Sequence, residues 1–187
     1  MWVKPISLTI VIVGVVFLIV SWNYWKNHAR TRRIARARNA PAANDVLLRW
    51  PDGRALPVGD LNGRVTILVT APVTGIDPAE LSELVTFARE LSPGGVRIMV
   101  QPVGEGDFQG DLPEGVEVLA VARRHPLAHR VARDFGPVDA ASTKLVIDGW
   151  GRVRALLTPD TRPPDAELYR AVEGAMEDAE QAAEGVG

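Results

Sequence analysis

The stretch R64-VTILVTAPVTGIDPAELSELVTFA-R89 decides how the chain is to be read. Val65 to Thr70 is a short, β-branched apolar run of the kind that fills a strand buried on both faces. A Pro-containing loop, residues 71–76, follows it. A helix then opens with a strong start signal: Asp77 as N-cap, Pro78 at the first helical position and Glu80 placed to complete a capping box. Leu81, Leu84, Val85, Ala88 and Leu91 fall on one helical face, and Pro93-Gly94-Gly95 ends the run. A strand that feeds a loop at a helix N-terminus is a common seat of chemistry, because unpaired N–H groups and the helix dipole favour negative charge there. Yet residues 71–76 contain no Cys, no His and no Lys.

Downstream, residues 96–103 (VRIMVQPV) form a second buried-strand candidate, so the opening stretch reads as the first half of a β–α–β unit. Residues 104–115 are rich in Gly and acid and lack helical period. Their carboxylates, Glu105, Asp107, Asp111 and Glu114, read as a solvated loop, and the EF-hand pattern that would argue for calcium is absent. A strand at 116–121 and a helix at 126–135, stopped by Gly136-Pro137, come next. Residues 144–147 and 153–157 make a hairpin around Asp148-Gly149-Trp150-Gly151, and a last helix spans 165–182. Upstream, residues 45–50 and 55–58 are two short strands around the turn Pro51-Asp52-Gly53. The expectation is an α/β domain over 45–187, with a mixed sheet and helices on both faces.

The N-terminal part is different in kind. Residues 6–25 carry no charge, and about 20 residues at ~1.5 Å each match a hydrocarbon core of ~30 Å. Trp2 stands at one end, and Trp22, Tyr24 and Trp25 at the other, as amphipathic rings do at the two interfaces. No small-x-small cleavage pattern follows, so residues 1–25 read as a retained transmembrane anchor rather than a signal peptide. Residues 26–44 are a basic juxtamembrane segment and linker, with Lys26, Arg30, Arg32, Arg33, Arg36 and Arg38. These cations suit anionic headgroups and, by the positive-inside rule, put the N-terminus outside and the folded domain on the cytoplasmic side of a bacterial-type inner membrane.

Charge and composition exclude several functions. The 187 residues carry a net charge of -2, but the part after residue 44 holds 14 basic and 23 acidic residues, near -9. An acidic body of that kind argues against nucleic acid as a partner. With no cysteine in the chain, disulfides, thiolate catalysis and Cys-ligated metals are excluded. No Walker, G-x-G-x-x-G or G-x-S-x-G motif occurs, so neither a nucleotide cofactor nor a Ser142–Asp148 hydrolase triad is supported. His125 and His129 have the spacing that puts two imidazoles on one helix face, but a third ligand is missing and a solvated surface is the plainer reading. Trp50 and Trp150 lie near turns, where Trp acts as a core lid or an interface anchor.

The order of elements and three local motifs resemble the thioredoxin fold, in its membrane-anchored thiol–disulfide oxidoreductase and peroxiredoxin-like branch. Residues 70–77 (TAPVTGID) are similar to that family's W-A-x-W-C-x-x-C, which puts Thr74 at the first cysteine position and Asp77 at the second. Residues 131–138 (VARDFGPV) resemble its helix ending in aromatic-Gly-Val, and residues 143–153 (TKLVIDGWGRV) its P-T-x-F-L-I-D-x-x-G-x-I. Ser142 stands where the family has a cis-proline. The resemblance implies a thioredoxin-like domain, and Thr74, Asp77 and Ser142 are its degenerate redox positions. A threonine hydroxyl needs an adjacent base for activation, and no His lies near Thr74 in sequence. The expectation is a non-enzymatic, redox-inactive accessory subunit of a larger membrane complex, photosynthetic or respiratory assemblies being conceivable hosts. Its partners would be membrane lipid and other subunits, with no cofactor, metal or small-molecule substrate. Two alternatives stand beside it: an assembly factor or chaperone that keeps the peptide groove, and a metal-dependent enzyme built on His125 and His129.

Overall fold

The structure is a computed structural model and describes residues 46–61, 64–92, 95–128, 130–131, 143–157, 161, 163 and 165–184. The expected span and basic segment, with Trp2, Trp22, Tyr24, Trp25, Lys26, Arg30, Arg32, Arg33, Arg36 and Arg38, lie outside the described residues, as do Ser142 and His129. Among the described residues no helix is long and apolar enough to cross a membrane.

The element order is β1 (Leu47–Arg49), β2 (Ala55–Pro57), a 3-10 turn (Val58–Asp60), β3 (Val65–Pro72), α1 (Pro78–Leu91), β4 (Val96–Val103), β5 (Val116–Val118), β6 (Lys144–Ile147), β7 (Val153–Leu157) and α2 (Ala166–Glu184). Five strands form one sheet in the order β5-β4-β3-β6-β7. β3 is parallel to β4, and β4 to β5, whereas β6 and β7 run antiparallel to their neighbours. β1 and β2 form a separate antiparallel hairpin.

β3 accounts for the apolar run at residues 65–71. Every residue from Val65 to Ala71 is buried, because the strand is central and covered on both sides. Its odd-numbered side chains, Val65, Ile67, Val69 and Ala71, meet α1 through Leu81, Leu84, Val85 and Ala88, and α2 through Leu168, Val172 and Ala175. Each such side chain taken from water contributes roughly 1.5–3 kcal/mol. Leu68 faces the other way, into a second core with Leu48, Val58, Leu61, Met99, Leu119, Leu127, Leu145 and Ile147.

The mixed α/β sheet expected from the sequence is present, and the described residues show part of what covers it. Both long helices, α1 and α2, pack on the same face. Among the described residues the opposite face is covered by the β1–β2 hairpin, the 3-10 turn and the segment that places Leu127 and Val131. The remainder of the helix expected at 126–135 lies outside the described residues. The strand expected at 116–121 is shorter, ending at Val118: Leu119 N still donates to the Val100 carbonyl of β4, whereas Ala120 N donates to the Arg49 carbonyl outside that sheet.

Candidate functional site

The loop between β3 and α1 closes as a turn, with Gly75 N donating to the Pro72 carbonyl at 3.0 Å. Gly75 has φ of 112°, a conformation that favours a residue without Cβ. Thr74, at the tip, is exposed. Asp77 caps α1 as expected: its Oδ1 accepts from Ala79 N at 3.0 Å, next to Pro78, which has no N–H to offer. Thr74 and Asp77 therefore sit at the entry to α1, one as an exposed hydroxyl and the other as its cap.

Residues 104–115 lie across this turn. Gln109 N donates to the Val73 carbonyl at 3.0 Å. A Cβ built on Gly75 would stand 3.4 Å from Gly110 Cα, and one on Gly104 would stand 3.1 Å from Val73 Cγ2. Phe108 and Leu112 pack against the helix-side core, while Glu105, Asp107, Asp111 and Glu114 are exposed. The segment expected to be a solvated loop is thus solvated through its carboxylates and anchored through its apolar residues. Its glycines allow the backbone to approach the turn so closely.

Beneath the turn lies a feature that motif reasoning missed. Lys144, the first residue of β6, is fully buried, and its Nζ is 2.6 Å from Oε1 of Glu80, itself 4% exposed. The register Val69↔Lys144 puts the lysine beside the end of β3, and its side chain reaches the first turn of α1. Glu80, expected from sequence to complete the capping box, directs this carboxylate oxygen to the lysine. Ions removed from water are costly unless paired at good geometry, so the pair fixes β6 against α1. A lone Lys opening the apolar run KLVI was the available signal. Next to it, the Thr143 carbonyl accepts from Thr70 N at 2.8 Å, joining the end of β3 to the start of β6.

The hairpin carboxylate has a structural use as well. Asp148 is fully buried; Oδ1 accepts from Trp150 N and Arg152 N, and Oδ2 accepts from Arg154 Nε at 2.7 Å. The same guanidinium reaches Asp178 of α2 at 2.8 Å. Asp148 therefore shapes the β6–β7 turn and links it to α2 through Arg154.

His125 departs from expectation. It is 8% exposed rather than solvated, and its Nδ1 accepts from Leu127 N at 3.0 Å. A ring nitrogen that accepts carries no proton, so the hydrogen sits on Nε2, which finds no hydrogen-bond partner among the described residues. Burial pushes its pKa down from the ordinary 6.5 to about 4. Among the described residues no three potential metal ligands converge.

A parallel β3–β4–β5 core, an antiparallel β6–β7 hairpin, and a loop-capped helix after β3 together define a thioredoxin-like domain. Solved structures agree with it at the level of fold. "Trgpx in apo form" superposes with a TM-score of 0.56 at 14% identity, covering 74% of this chain and 97% of that one. T. cruzi GPX1 gives a TM-score of 0.51 at 13% identity over 69% and 94% of the two chains. BsSco, from the Sco family of cytochrome c oxidase assembly proteins, gives 0.48 at 14% identity over 70% and 90%. No protein-family model and no curated protein sequence matches the chain.

Proposed function

We propose that this chain is a non-catalytic, single-span membrane protein whose thioredoxin-like domain serves as an accessory subunit of a larger membrane complex. The observation that carries the reading is the β3–α1 turn. A site that would need an activated nucleophile holds an exposed Thr74, an Asp77 spent on capping, and a covering segment tied down by the Gln109–Val73 hydrogen bond. The buried Lys144–Glu80 pair supports the same reading, since it fastens the helix to the sheet below that turn. The apolar run at 6–25 supplies the anchor, and the cations from Lys26 to Arg38 argue for a cytoplasmic domain. Photosynthetic and respiratory assemblies are candidate hosts. The metal-enzyme alternative loses support from His125, whose ring is buried with Nδ1 already accepting from Leu127 N.

The test is migration of the native chain after mild detergent extraction. A subunit migrates with a larger assembly, and migration as a monomer at every concentration would sink the proposal. Protease treatment of oriented vesicles tests the topology: digestion of the domain only from the cytoplasmic side is expected.

A further inference from the structure

One corner of the domain brings the start of the folded chain together with an exposed tryptophan. Val58 N donates to the Val46 carbonyl at 3.0 Å, and Leu47 is in register with Pro57, so the chain enters the domain against the 3-10 turn. The β6–β7 tip sits on that same turn: a Cβ on Gly151 would meet the Val58 carbonyl oxygen at 2.7 Å and Gly59 Cα at 3.0 Å. Only glycine, here at φ of 75°, lets the tip approach so closely. The tip carries Trp150, 36% exposed, with the Arg152 guanidinium 5.9 Å from its ring centre. Leu47, at the chain's point of arrival, is 50% exposed. Two of the large exposed apolar side chains thus belong to the corner from which the tether leaves.

From these placements we infer that the Trp150–Arg152 tip and Leu47 dock on the lipid headgroup layer of the membrane that holds the anchor. The inference rests on the anchored reading above and adds an orientation to it. Eight chain steps separate Arg38 from Val46, a reach of at most roughly 28 Å. A tether of that length keeps this corner within reach of the surface. An indole is favoured at the headgroup level, where its ring meets the acyl boundary and its N–H stays wet. The exposed Arg152 guanidinium beside it is free to meet lipid phosphate. The domain's acidic excess, including the exposed Asp60 beside Gly59, opposes contact with anionic lipid, so the apolar residues must carry the docking.

The chain has no cysteine, so a single introduced thiol is the sole labelling site. The full chain would be placed in nanodiscs of mixed zwitterionic and anionic lipid containing headgroup quenchers. An environment-sensitive fluorophore at Leu47→Cys should be quenched severalfold more than one at Glu173→Cys, an exposed position on α2 on the opposite face. Trp150→Ser should abolish most of that difference, and Arg152→Gln part of it, with the Glu173 label serving as the control for an intact fold. Equal quenching at Leu47 with and without Trp150 overturns the inference and leaves the anchor standing. A chain that does not stay in the disc overturns the anchor, and the inference with it. Contact that appears only in native membranes, and not in pure lipid, assigns the corner to a protein neighbour and likewise overturns it.

Discussion

Lys144 and Glu80 form an ion pair at 2.6 Å with the lysine wholly buried, joining the start of β6 to the first turn of α1. Removing one partner strands a charge in the core, whereas removing both leaves a neutral site. Lys144→Met or Glu80→Gln alone should therefore cost about 3–5 kcal/mol, and the double substitution much less than the sum. Urea denaturation of the four proteins in a double-mutant cycle measures this. Additive losses would mean the pair contributes no coupling.

Capping and chemistry separate at the β3–α1 turn. Asp77→Ala should cost about 1 kcal/mol, the usual loss for a helix deprived of its N-cap. Thr74→Ala, at an exposed position, should stay within about 0.5 kcal/mol. Thermal unfolding of the two variants distinguishes a structural turn from one in which Thr74 has a buried role.

His125 gives stability a pH dependence of definite sign. Its pKa is about 4 when folded and near 6.5 when the chain is unfolded, so between those values the unfolded chain binds the extra proton. The folded state is therefore stabilised in full above pH 6.5 and loses that contribution as pH falls toward 4, by roughly 3 kcal/mol at most. His125→Asn keeps an acceptor for the Leu127 N–H and should flatten the profile in that window. An unchanged profile in this variant would show that other groups set the acid sensitivity.

The cover over the turn makes its own prediction. Gly75→Val combines a Cβ 3.4 Å from Gly110 Cα with a backbone at φ of 112°, and should cost about 1–3 kcal/mol while loosening residues 104–115. Amide exchange at Gln109, whose N–H is held by Val73, reports that loosening directly. Protection there that survives the substitution would mean the cover does not depend on the close approach of Gly75 to Gly110.

Much of this architecture is legible in the residues themselves, for reasons that differ along the chain. β4 (Val96–Val103), β6 (Lys144–Ile147) and β7 (Val153–Leu157) match the sequence-based expectation because their apolar runs end at turn residues. α1 was readable from Asp77 and Pro78, whose effects are local. The contents of the site were harder to read. Glu80 and Lys144 are far apart in sequence, and only the β3–β6 register brings them together. A glutamate at the third helical position has a ready local explanation, which hid the distant one. His125 stands among three arginines in sequence, Arg123, Arg124 and Arg130, a polar setting that gives no sign of burial, yet the ring is buried and accepts from Leu127 N. Nothing in the Gly-rich composition of residues 104–115 disclosed what they lie against, since a backbone hydrogen bond such as Gln109–Val73 leaves no mark in side-chain pattern.

The proposal that a thioredoxin-like domain has been kept here for assembly rather than for chemistry is tested most directly by stoichiometry. The chain would be isolated from native membranes in mild detergent, and every co-isolated protein quantified by mass spectrometry. A fixed, near-integral ratio to the same integral membrane subunits, retained at each dilution, is the result the account predicts. A chain recovered without partners, or with many partners at low and varying ratio, would contradict it.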